Sequence, residues 1–108
     1  MSPSNNTGSP PEANMQESAA AATAFLKTLA HEGRLMILCY LSAGEKSVSE
    51  LEALLNMRQA AVSQMLARLR EDGLVKPRRE GKAVYYSLNN GNTEEMIALL
   101  YKQFCSDT

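Results

Sequence analysis

Two thiols are the side chains most open to chemistry in this sequence. Cys39 sits inside the apolar run MILCYL, residues 36–41, and Cys105 lies 66 positions further on, in the C-terminal stretch KQFCSDT. Thiols bind soft metals, form disulfides and exchange sulfur with other sulfur compounds. These two make neither a CxxC redox pair nor a spaced zinc-ligand cluster, so no metal ion and no cofactor is expected, and a reducing cytosol keeps such thiols reduced by default. A buried cysteine can equally serve as a small inert hydrophobe, and the setting of Cys39 predicts burial. His31, the sole histidine, has no motif tying it to either thiol and reads as a capping or hydrogen-bonding residue. An enzyme needs a nucleophile beside a base, or a metal with an open position. Neither is legible here, so no catalytic residue is expected.

Charge gives a second lead. The formal net charge is −1, yet residues 58–82 carry seven basic and three acidic side chains, while 1–57 carry three and six and 83–108 carry one and three. Arg58, Arg68, Arg70, Lys76, Arg78, Arg79 and Lys82 make up the positive stretch. A local basic stripe on an otherwise acidic chain is an electrostatic footprint for phosphate, although a solvated surface face has the same composition. The elements that carry the charges decide between the two.

A chain of 108 residues is about one domain. Residues 1–14, rich in Ser, Asn, Pro and Gly, are expected to be a disordered tail, with the folded domain over 15–106. No run of 18 apolar residues exists and the N-terminus lacks the charged and apolar regions of a signal peptide, which predicts a cytoplasmic protein with no membrane partner. Alanine-rich 15–29 predicts a first helix, and 34–41 a second with apolar residues all around it. Ser47 and Glu50 have capping-box spacing for a third helix over 48–55. A fourth, over 58–71, has Val62, Met65, Leu66 and Leu69 on one face and Gly73 as its stop. Two β-prone runs then meet at Gly81 as a hairpin, with Pro77 placing the first at an edge. Asn92, three residues before Glu95, predicts the cap of a last helix running to about Cys105.

Two short helices, a tight turn and a basic hairpin describe a mainly α (α+β) winged helix-turn-helix, with about five helices and a two-stranded β-hairpin wing. With Val62, Met65, Leu66 and Leu69 inward, a step of about 100° per residue turns Ala60 and Gln64 outward, with Gln59 and Ser63 beside them. Glutamine can pair bidentately with adenine, serine with several bases, and Ala60 allows close approach to double-stranded DNA. Arg58 at the helix start, and Arg78, Arg79 and Lys82 at the hairpin tip, are expected to meet phosphate. Apolar residues on more than one face of the last helix, in a domain this small, predict a second copy covering the first and last helices.

From about Phe25 to Cys105 the chain resembles the ArsR-type family of dimeric winged-helix repressors, through LxxLAHEGRLMIL, QAAVSQMLARLREDGLV and the RREGKAVYYSL wing. The resemblance implies a homodimer through the first and last helices that binds a short palindromic operator and releases it when an effector binds. Many members sense metals through a CxC pair, but Ser47 and Ser49 stand at the matching positions, and residues 92–108 contain no histidine. Where many members have histidine in the reading helix, this chain has Met65. At RLMILCYLSAGEKSVSEL and LLYKQFC the chain is similar to the sulfide-responsive SqrR/BigR branch. That likeness implies that Cys39 and Cys105 are a sensing pair which persulfides convert into a polysulfide bridge within one subunit. A metal- or metalloid-responsive repressor and a dithiol redox protein stand as the alternative readings.

Overall fold

Local capping chemistry sets most of the element boundaries. The computed structural model describes residues 11–89 and 91–104, arranged as α1 (Pro11–Leu29), α2 (Glu32–Ser42), β1 (Lys46–Ser47), α3 (Val48–Leu55), α4 (Gln59–Glu71), β2 (Val75–Glu80), β3 (Ala83–Leu88) and α5 (Gly91–Phe104). Ser47 Oγ accepts from Glu50 N at 3.0 Å while Ser47 N donates to Glu50 Oε1 at 2.7 Å, the reciprocal box expected at the head of α3. Asn56, with φ 55°, ends that helix in the left-handed region and turns the chain into α4. Gly73, φ 79°, follows α4 and redirects the chain into the hairpin.

α2 occupies the centre, touching α1, α3, α4, α5 and β3. Ile37 and Leu38 from α2, Leu51 from α3, Val62, Leu66 and Leu69 from α4, Val75 from β2 and Ile97 from α5 form the fully buried core. The inner face of α4 is the one its periodicity predicts, with Met65 also buried. Close packing is needed beneath it. A Cβ placed on Gly33 of α2 would come within 2.5 Å of Met65 Sδ, so glycine there lets α2 approach α4.

Several expectations are corrected. α1 begins at Pro11 rather than Met15, four residues into the expected tail, because proline suits a first helical position that needs no N–H. Residues 1–10 of that tail lie outside the described residues. The two-stranded hairpin wing is present as β2 and β3, and the two-residue β1 joins it as a third strand in the order β1-β3-β2, all antiparallel. β1 pairs Lys46 with Tyr86 and Ser47 with Tyr85, tying the wing to the residue that caps α3. β2, with Pro77, remains at the edge as expected. Asn92 lies inside α5, which starts at Gly91, and so is not its cap.

Candidate nucleic-acid interface

Exposure along α4 follows its apolar stripe. Gln59, Ala60, Ser63 and Gln64 are all exposed on the outer side, with Val62, Met65, Leu66 and Leu69 buried beneath them. Arg58 is the N-cap residue, exposed and without a side-chain cap, and no acidic side chain occupies the first turn. The first backbone N–H groups of α4 thus lack a carboxylate partner on their own helix, and a helix start in that condition attracts phosphate.

A groove of about 750 Å³ runs between this helix and the wing. Gln59, Ser63 and Arg70 form its α4 wall, Ser49 and Glu52 its α3 wall, and Pro77, Arg79, Lys82 and Val84 its wing wall. Gln64 lines the adjoining cleft with Ser63, Arg68 and Arg70. The α4 wall presents an amide, a hydroxyl and a guanidinium, the wing wall a guanidinium and an ammonium, and the α3 wall a hydroxyl and the Glu52 carboxylate. Apart from that carboxylate these are groups of the kind that contact phosphate and base edges.

Arg78 departs from its expected place. It lies on β2, not at the hairpin tip, and pairs across the strands with Tyr85, whereas Arg79 pairs with Val84. Strand alternation therefore puts Arg78 and Arg79 on opposite faces of the sheet. Arg78 Nε donates to Glu45 Oε2 at 2.9 Å, Nη2 to Glu45 Oε1 at 2.8 Å, and Nη1 to Glu80 Oε1 at 3.0 Å. Its guanidinium stands 4.8 Å from the Tyr85 ring centroid. The hydrogen bonds from Arg78 hold the Glu45 carboxyl below its usual range and keep Arg78 itself firmly charged. This arginine braces the wing against the loop before β1.

Arg70, which charge places in the positive stretch but which is not among the expected DNA contacts, lines the groove. A signal for it exists in the sequence, because seven residues after Ser63 is two helical turns on the same stripe. Nothing local marks Ser49 and Glu52, whose place in the groove comes from how α3 meets the wing.

Residues 31–76 match the profile described as bacterial regulatory protein, arsR family. The chain is 47% identical over 92 residues to the biofilm growth-associated repressor of Agrobacterium fabrum, spanning 85% of this chain and 79% of that protein. It belongs to the arsR family. A solved structure of reduced HlyU from Vibrio cholerae, 44% identical, superposes with a TM-score of 0.84 over 86% of this chain and 98% of that one. The repressor BigR from Xylella fastidiosa, 39% identical, gives 0.80 over 87% and 93%. This arsR-family chain is a DNA-binding transcriptional regulator with a winged helix-turn-helix, not an enzyme.

The remaining expected site residues divide. Cys39 is half-buried rather than sealed in the core, a correction that follows from α2 having one flank open. It lines a cleft of about 950 Å³ with Leu35, Met36, Tyr40 and Leu54, and with Glu94, Ala98 and Tyr101 of α5. Cys105 lies outside the described residues, one position beyond the end of α5. His31 caps α2, its Nδ1 accepting from Arg34 N at 3.2 Å. Ser47 and Ser49, which occupy the metal-ligand positions of the family resemblance, serve as the cap of α3 and in the groove wall. Among the described residues no three His, Cys, Asp or Glu side chains gather to hold a metal ion, and no helix is long and apolar enough to cross a membrane.

Proposed function

We propose that this protein is a cytoplasmic homodimeric repressor that binds a palindromic operator and releases it when persulfides link Cys39 to Cys105 in one subunit. DNA recognition through Gln59, Ala60, Ser63 and Gln64, with phosphate held by Arg58, Arg79 and Lys82, draws its support from the groove that Gln59, Ser63, Arg79 and Lys82 line and from the exposure of Arg58, Ala60 and Gln64 beside it. Support for the dimer comes from α1 and α5, where Met15, Leu26, Leu99 and Phe104 are 61%, 55%, 52% and 80% exposed in the single chain. Apolar side chains that open to water on two helices favour a second copy as their cover.

The observation that carries the sensing reading is the position of Cys39. Its cleft has α5 as the opposite wall, and α5 ends at Phe104, immediately before the second cysteine. A half-buried thiol at a cleft is reachable by small sulfur donors. The thiolate of Cys39 attacks the outer sulfur of a persulfide R–S–SH, its S–S bond breaks, and R–S⁻ leaves with the electron pair. After the same transfer at Cys105, one protein persulfide attacks the Sγ of the other residue and expels HS⁻, leaving a trisulfide bridge. A simple disulfide requires Cα atoms within about 7 Å, and each added sulfur lengthens the reach by roughly 2 Å, so separation can favour persulfides over ordinary oxidants.

The test pairs a mobility shift with intact mass and peptide mapping on one persulfide-treated sample. Reduced protein should retard operator DNA, and treatment should add sulfur between Cys39 and Cys105 and release it. Cys39→Ser and Cys105→Ser should bind but fail to release. Release from Cys105→Ser, or the lack of any inter-cysteine linkage in treated wild type, overturns the sensing reading. Release by a metal ion or turnover of a thiol substrate would favour the alternatives instead.

A further inference from the structure

α1 leans on α2 rather than on α4. Between α1 and the far end of the reading helix lies a cleft of about 470 Å³, lined by Ala21, Ala24 and Phe25 on one side and Arg68 on the other. A polar clamp closes one end of it. Thr28, 2% exposed in the last turn of α1, donates its hydroxyl to Asp72 Oδ2 at 2.5 Å, and Arg68 Nε donates to the same oxygen at 2.9 Å. Arg34, from the first turn of α2, donates through Nε to the Thr28 carbonyl at 2.9 Å and fixes that turn of α1.

Asp72 is the C-cap of α4, where a negative charge opposes the helix dipole. An aspartate in that position is locally unfavourable and calls for donors to compensate it. Arg68 supplies one from the same helix, and Thr28 supplies the other from a different one. Both hydrogen bonds hold the carboxyl below the usual aspartate range, that from Thr28 first. The Thr28 hydroxyl also lies 3.3 Å from the Ala24 carbonyl, the ordinary back-bond of threonine in a helix. A hydroxyl with a second acceptor already in reach can leave Asp72 without becoming a buried orphan, so the clamp has two satisfied states.

We propose that Asp72 is a positioning residue for DNA reading, which through Thr28 fixes the angle between the reading helix and α1, and so the spacing of the two reading heads. The proposal rests on the dimeric reading above, in which α1 belongs to the seam. Two half-sites about 34 Å apart leave little freedom in that spacing. Releasing the clamp lets each head swing about the core beneath α4, which keeps the protein on DNA but loses register.

The experiment uses full-length protein and a palindromic duplex selected from random DNA by the wild type, beside the same duplex with one base pair inserted at its centre and an unrelated duplex. Wild type should bind the lengthened duplex about tenfold more weakly, within the usual range of coupling between sites. In Asp72→Ala and in Thr28→Val that ratio should fall to about threefold or less, with affinity for unrelated DNA unchanged and the double variant no worse than either single one. Thr28→Ser, which keeps the hydroxyl, should restore the wild-type ratio. Variants that discriminate spacing like the wild type, a loss shared equally by all duplexes, or Thr28→Ser behaving like Thr28→Val would each overturn the proposal. A wild type indifferent to the insertion removes the dimeric reading, and the proposal with it, whatever the variants do.

Discussion

The groove between α4 and the wing and the apolar side chains of α1 and α5 are both exposed, and their chemistry is opposite. Gln59, Ser63, Arg70, Arg79 and Lys82 line the first, whereas Met15, Leu26, Leu99 and Phe104 stand out on the second. A polar groove is well hydrated when empty, so it can exchange DNA with water at modest cost and with strong dependence on salt. An apolar face is stable only when covered, since burying it contributes about 25 cal/mol per Å² and leaving it open forgoes that. On the proposed dimeric reading, one surface serves to bind and release and the other stays closed. A regulator that pairs them can be switched by anything that shifts the reversible surface relative to the permanent one.

The largest effect is expected from charging the permanent surface. Leu99→Glu places a carboxylate at a position 52% exposed in the single chain, so the subunit should fold with little change in Tm. In a dimer seam the same charge costs several kcal/mol to desolvate. Sedimentation should report monomers, and operator affinity should fall by a factor on the order of a hundred or more because half-sites are then read singly. A variant that remains dimeric and binds normally places the seam elsewhere.

Changes in the groove should be smaller and should depend on sequence. Truncating Gln59, Ser63 or Gln64 to alanine is expected to cost on the order of 1–3 kcal/mol on operator DNA for each base pairing removed, and much less on random DNA. Competition assays with the three variants separate the two, and equal losses on both would reduce these residues to surface filling.

Neighbouring arginines sharpen the contrast further. Removing Arg79 or Lys82 should lower the slope of log K against log salt by about 0.9 for each phosphate left unneutralised. Arg78→Ala should leave that slope alone, because its guanidinium is spent on Glu45 and Glu80. Its effect should instead depend on acid. Glu45 has its carboxyl lowered from 4.5, so the stability it contributes is complete above that value and is lost as pH falls through the depressed one. Arg78→Ala should be the less stable protein at pH 7 and should converge on the wild type under acid, as followed by thermal melts across pH. Parallel curves would mean that the pair does not brace the wing.

How far the sequence foretold these surfaces depended on whether the deciding signal was local. The capping box of Ser47 and Glu50, the stripe of α4 and the turn at Gly81 lie within a few residues of what they determine, and all three elements stand where they were expected. Three features depended on distant partners. Arg78 and Arg79 are indistinguishable in a charge count until β3 fixes the register. β1 is two residues long and exists only because Tyr85 and Tyr86 accept it as a neighbour. Cys39 was expected to be buried because α2 is apolar all round, but such a helix can also cover a core on one side and line a cleft on the other.

The smallest expected effect lies under the reading helix, where the polar surface depends on packing it does not touch. Gly33 brings α2 so close to Met65 that an added Cβ would lie 2.5 Å from Sδ and 3.3 Å from Cε. Both atoms are the far end of a flexible side chain that can move by changing rotamers. Gly33→Ala therefore sets a small overpacking cost, about 1 kcal/mol, against the gain of alanine over glycine inside a helix, which is somewhat less than that. Denaturant melts should show a net loss of a few tenths of a kcal/mol in the wild-type background. In a Met65→Ala background only His31 Cε1, 3.3 Å from the added Cβ, is left in close contact, so Gly33→Ala should become stabilising by roughly 0.5 kcal/mol. That reversal of sign is the diagnostic result. The same loss in both backgrounds would show that Gly33 is constrained by the backbone of α2 itself, and that Met65 merely fills the space beneath α4.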